Sequence, residues 1–334
     1  MRATLVKAAL AICLALVSAQ FAAAGTYITF NVPGACSAGV PYGVNKWGSV
    51  TGIYTTCSGN FPQGFLYQSS GVITTFAASV WGTYPMSIND SGWIVGYYND
   101  KYGAHHGFLR NPKYTVLDVP GAGTNSGQGT EPLSVNDSGE ISGVYFDANS
   151  VEHGFVRDAA GDYASFDVSG GDAVTGAWVN QYGQIAGNYT TAGNVPHGYV
   201  READGTITTF DAPNSSGTYV VGINSTENTT GYFFPAGGGT EEFVRDQYGN
   251  ITTFSISGYS STAGIEDNDN VIGTYKNGSK YRGWNRTTSG AVSYFSDPSA
   301  SGLGTFPSCV SGNGRVAGIY YDSSGNQHSF VMLN

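Results

Sequence analysis

Four groups of residues in this 334-residue chain have types and spacings that could support chemistry. Asn-Asp pairs precede glycine in "INDSGWIVGYY" (88–98) and "VNDSGEISGVY" (135–145), where they could serve as oxygen ligands or catalytic acids. The run "EDNDN", Glu266 to Asn270, is acidic enough to hold a calcium ion through oxygen, although it lacks the glycine and distal Glu of an EF-hand loop. His106, His153, His197 and His328 suggest, by number alone, a metal cluster. Glu131 and Asp172 are two carboxylates of the kind that glycoside hydrolysis needs in pairs.

The elements that carry these residues repeat. "VNKWGSVTGIY" begins at Val44, and in-phase copies begin at Ile88, Val135, Val179, Ile223, Ile265 and Val310, spaced by 44, 47, 44, 44, 42 and 45 residues. After each copy comes a strand like "HGFLRN", then a Thr/Phe strand like "VITTF". Each unit therefore reads as four strands: one before the Asn-x-x-Gly turn, one after it, the His-Gly-Phe strand and the Thr/Phe strand. Four strands at a period near 44 indicate an all-β, seven-bladed β-propeller with four strands per blade. The chain ends on a third strand, "HSFVMLN", and the missing fourth is "TYITFNV" at 26–32. The N-terminal strand is thus expected to close the ring in the last blade, one strand joining three, leaving no open sheet edge.

The period changes how the reactive residues read. Seven copies of one Asn-x-x-Gly turn argue for a structural duty, since Asn, Asp and Gly accept the left-handed backbone of a tight hairpin. The four histidines occupy one repeat position on the third strand out, and strands lie about 4.8 Å apart. Copies on different blades are too far apart to share an ion whose ligands lie about 2 Å away. Each is expected to make a hydrogen bond within its own blade. No metal and no cofactor is expected.

Composition bounds the remaining possibilities. Only 11% of residues are charged, while 13% are aromatic and 49 are glycine. This suits strands and turns better than helices or disorder. Residues 1–24 have the basic start (Arg2, Lys7), apolar stretch and Ala22-Ala23-Ala24 end of a signal peptide, with a mature domain over 25–334. The stretch is too short to span a bilayer. Fourteen basic and 24 acidic residues give a formal net charge of −10, which disfavours nucleic acid and anionic membrane surfaces as partners. Export permits a disulfide between two of Cys36, Cys57 and Cys309. Cys36 and Cys57 lie in loops that should emerge on one face. They are the expected pair, with Cys36–Cys309 as the alternative.

The repeat resembles the bacterial extracellular HAF family, named for a His-Ala-Phe motif. "HGFLR", "HGFVR" and "HGYVR" stand where that motif would, beside the "IND-x-G-x-I-x-G-x-Y" stretch, over essentially all of 25–334. Glycine replaces the family's alanine, and the fifth and sixth units lack the histidine. The resemblance implies a secreted, repeat-built β protein and says little about chemistry.

Function is expected on the long, variable connections at the end opposite the Asn turns. That end carries Trp81, Tyr84, Tyr102, His105, Tyr219, Tyr259, Tyr281 and Phe306, which could stack on a sugar or pack loops onto the ring. The reading is a monomeric extracellular or periplasmic module binding a glycan or a protein, without catalysis. The alternative is a secreted hydrolase or lyase acting on a polysaccharide at the mouth of the central channel. Converging buried acids on the axis would favour the enzyme, and a channel lined by small and apolar side chains would favour binding.

Overall fold

The computed structural model describes residues 25–333 except 60 and 257, so the expected signal peptide lies outside the described residues. Among the described residues every regular element is a strand, 28 in all. Six consecutive antiparallel meanders of four strands span 40–76, 83–116, 129–166, 173–210, 215–254 and 260–295. A seventh meander has three strands within 304–333, and Thr26–Phe30 pairs antiparallel with its last strand, Gln327–Leu333. Single parallel bridges, His105 to Gly129 and Tyr281 to Gly304, join the second meander to the third and the sixth to the seventh. Aromatic and aliphatic side chains between the meanders form the core, with Trp284, Tyr199, Phe65, Phe108, Phe155, Phe243 and Phe330 almost fully buried.

The first strand of every meander is bulged, at the same place in six and two residues further from the Asn turn in the fourth. The register skips one residue between Pro41 and Gly43, Pro85 and Ser87, Pro132 and Ser134, Val174 and Gly176, Val220 and Gly222, Thr262 and Gly264, and Pro307 and Cys309. A bulge re-aims the extra side chain. Here the skipped Tyr42, Met86, Leu133, Val221, Ala263 and Ser308 all face one shared cavity of about 320 Å³, to which all seven first strands contribute. The bulge also presses a carbonyl against the second strand. A Cβ on Gly96 would overlap Tyr84 O, and the same holds at Gly52, Gly143, Gly187, Gly231, Gly273 and Gly318. The second glycine of each repeat is therefore required by close backbone approach.

The asparagine of each repeat is more than a turn residue. In Asn89 the side-chain Oδ1 accepts Trp93 N–H at 2.9 Å within its own turn, while Nδ2 donates to Asn136 O in the next meander at 3.0 Å. The same amide step runs from Asn45 to Asn89 O, from Asn136 to Asn180 O, from Asn180 to Asn224 O and from Asn224 to Glu266 O, all at 2.9–3.0 Å. All five asparagines are buried. A buried amide satisfied on both sides is specific glue between neighbours. Glu266 and Ser311 replace asparagine in the last two units, where Asp267 N–H donates to Gly312 O instead. From the seventh meander to the first, Asn313 Nδ2 donates to Lys46 O at 3.1 Å and Ser308 Oγ donates to Pro41 O at 2.9 Å.

Candidate functional site

The histidines are held one per meander. Nδ1–H of His106, His153 and His197 donates to Asp118, Asp167 and Asp211 at 2.7–2.9 Å. His328 pairs instead with Asn31 Oδ1 at 3.1 Å, just past the N-terminal strand. Each ring stacks on a tyrosine of the second strand: Tyr98, Tyr145, Tyr189 or Tyr320. Among the described residues no group of His, Cys, Asp or Glu is arranged to hold a metal ion. The "EDNDN" run is likewise tied up in structure. Asp269 Oδ1 accepts from Asn224 and Asn228, and Glu266 Oε2 accepts from Asn270.

Of the eight residues expected on loops, only Trp81, Tyr102 and Tyr259 are in loops. Tyr84, Tyr219 and Phe306 sit on first strands, and His105 and Tyr281 near the start of third strands, because the hairpins extend further than the sequence pattern suggests. Trp81 packs its ring edge-on against Phe61, and Tyr102 lies under Lys101 Nζ at 4.7 Å. Tyr219 stacks on its cross-strand partner Tyr232 at 4.9 Å. Asp172 is exposed.

Two of the expected residues and one expected acid converge. Tyr84 stacks on Tyr97 at 4.8 Å, Tyr97 lies 5.1 Å from the His105 ring, and His105 Nδ1 meets Glu131 Oε1 at 2.5 Å. Glu152 completes this column. Burial and the neighbouring Glu131 carboxylate push its pKa up to about 7. Burial, with Glu131 beside it, also pushes the Tyr97 phenol well above its ordinary range. A buried carboxyl with a raised pKa beside a second carboxylate is an arrangement general acid–base chemistry uses.

Three others, Tyr259, Tyr281 and Phe306, line a second feature, a pocket of about 340 Å³ floored by Ser261, Thr274 and Ser308. The Tyr281 and Phe306 rings lie 4.5 Å apart, and Tyr259 is 64% exposed at the rim. The pocket has a sequence cause. Ser261 opposes Thr274 at the register position where the second meander has Tyr84 against Tyr97 and the fifth has Tyr219 against Tyr232. Stacked tyrosines fill this position in those two meanders, Val40–Ile53, Glu131–Val144, Gly176–Asn188 and Phe306–Ile319 hold it in the others, and two small hydroxyl side chains leave it open here. Sequence reading alone picked out the aromatics and missed the small pair that makes room between them.

Cys36 and Cys57 are neighbours at the end of the N-terminal strand's exit loop. Cys36 N–H donates to Thr55 O at 2.9 Å, and Ala35 bridges Thr56. A hydrogen bond with Cys36, and then burial, raise the Cys57 thiol pKa. Cys309 is buried, and burial pushes its thiol up to about 12.

No family model matches the chain, and no curated protein matches it. Solved structures do. The β-propeller domain of the Trilobed protease from Pyrococcus furiosus superimposes with a TM-score of 0.62 at 13% identity, over 88% of this chain and 95% of that one. The BP39L lectin from Burkholderia pseudomallei gives 0.53 at 9% identity, over 92% and 96%. A prolyl endopeptidase gives 0.54 at 10%, over 90% of this chain and 47% of that longer one. Among the described residues no helix is long and apolar enough to cross a membrane. At these identities the likeness speaks for the fold alone, and the chain is an all-β protein with the fold of β-propellers.

Proposed function

We propose that the seven meanders are the blades of a closed seven-bladed propeller of HAF type, exported by residues 1–24 and acting as a monomeric glycan-binding module outside the cytoplasm. Closure is supported by the cavity shared among all seven first strands and by the Ser308 and Asn313 bonds back to the first meander. The binding reading rests on one observation above others: an aromatic-walled pocket above Ser261 and Thr274, at a position that tyrosine pairs fill in the second and fifth meanders. Concave, mostly apolar sites with a few convergent polar groups are where small ligands sit. Tyr42, Met86, Leu133, Trp178 and Val221 line the central cavity, which suits a scaffold better than a catalytic channel. A lectin among the proteins of similar fold accords with this reading.

The hydrolase reading is favoured by a different observation, the Glu131–Glu152 pair beside His105. A glycan array combined with a polysaccharide-degradation screen of residues 25–334 separates the two. Binding that Ser261→Tyr abolishes supports the module. Reducing-end release that Glu152→Gln abolishes would replace it with an enzyme.

A further inference from the structure

The lining of the Tyr259–Tyr281–Phe306 pocket carries information about ligand charge. No lining residue is charged. The nearby ammonium, Lys276 Nζ, lies 5.6 Å from the Tyr281 ring centroid, outside the lining. The floor is polar through three hydroxyls, and two have already committed their hydrogens. Thr274 Oγ1 donates to Pro307 O at 3.2 Å, and Ser308 Oγ donates to Pro41 O at 2.9 Å. Each hydroxyl has one hydrogen and two lone pairs, so Thr274 and Ser308 offer a ligand acceptors only. Among the described residues Ser261 Oγ has no partner and can play either role.

A ligand satisfied here has an apolar face for Tyr281 and Phe306 and donors for the floor. An anionic group would meet acceptors and aromatic faces, and an unpaired charge taken from water into such a site is costly. We infer that the pocket selects a neutral pyranose, its C–H face against the aromatic wall and its hydroxyls donating to Thr274 and Ser308, and discriminates against the uronic acid of the same sugar. This rests on the glycan-binding reading and adds the ligand's charge and hydrogen-bond polarity.

The test is a matched pair. Methyl glucoside and methyl galactoside, with their C6-oxidised uronates, are titrated into residues 25–334 while ligand-observed NMR follows binding. The expected result is at least tenfold weaker binding of each uronate. Thr274→Val, which keeps the shape and removes the acceptor, should weaken the neutral sugars several-fold without changing the fold. Ser261→Tyr, which places a tyrosine where the second and fifth meanders carry Tyr84 and Tyr219, should abolish binding. Uronates bound as well as or better than their neutral partners, with Ser261→Tyr still abolishing binding, would overturn the inference and leave the glycan-binding module standing. Absence of binding to all four sugars and to an array of larger glycans would overturn both.

Discussion

Glu242 makes the sharpest stability prediction. It occupies the position held by Gly64, Gly107, Gly154, Gly198 and Gly283 in other meanders, and it is fully buried. One carboxylate oxygen accepts from Ser260 Oγ of the sixth meander, and Oε2 has no partner. Burial is the main cause that raises its pKa from 4.5 to about 7. The unfolded chain ionises this group near its ordinary value, so folding takes up a proton between those limits. Below about pH 4.5 both states are protonated and Glu242 costs nothing. As pH rises through the window the unfolded state gains, and above about pH 7 the full cost applies. At about 1.4 kcal/mol per pKa unit the 2.5-unit gap amounts to about 3 kcal/mol, or roughly 5–10 °C in Tm. Glu242→Gln abolishes the titration and adds a pH-independent offset from its own amide. Thermal unfolding of both proteins from pH 4 to pH 8 should show the wild type losing stability relative to the variant across this window. A constant difference between them would refute the reasoning.

Two further predictions follow from the same physical reading. Asn136→Ala removes the acceptor for Glu140 N–H and the donor to Asn180 O, and it should cost about 2–3 kcal/mol in chemical denaturation. Asp137→Ala on the exposed neighbour should cost well under half of that, and equal losses would show that the ladder adds nothing beyond the turn. In protein refolded with oxidised glutathione, Cys36 and Cys57 are expected to form a disulfide, each pair of thiols reducing one glutathione disulfide to two thiols. The link closes a loop of about 20 residues and should add roughly 3 kcal/mol. A non-reducing peptide map that links Cys309 instead would contradict the pairing.

Much of this molecule was legible because its sequence repeats. The phase of "INDSGWIVGYY" gave four strands per unit, and "TYITFNV" was readable as the strand that pairs with the chain's end. The histidines were readable as local because a repeat position on the third strand out cannot converge. Three features were not legible, each for a physical reason. The reach of Asn89 into the next meander depends on how meanders pack, which hydrophobic alternation does not encode. The bulge shifts one residue of each first strand out of register, so the alternation cannot say that Met86 and Leu133 face the shared cavity while Tyr84 faces Tyr97. The pocket itself arises from what is small, Ser261 and Thr274, and a search for aromatics and acids passes over small residues. Glu152 escaped notice for a related reason: only packing reveals that it approaches Glu131.

The central claim is that ligand binds where Ser261 and Thr274 leave space beside Tyr281 and Phe306 in the sixth meander. Its most direct test is a crystal structure of residues 25–334 soaked with the glycan that binds best on the array. The account predicts saccharide density against Tyr281 and Phe306, above the Ser261–Thr274 floor. Ordered saccharide at the Asn-turn end, or beside Glu131 and Glu152 with the pocket empty, would contradict it.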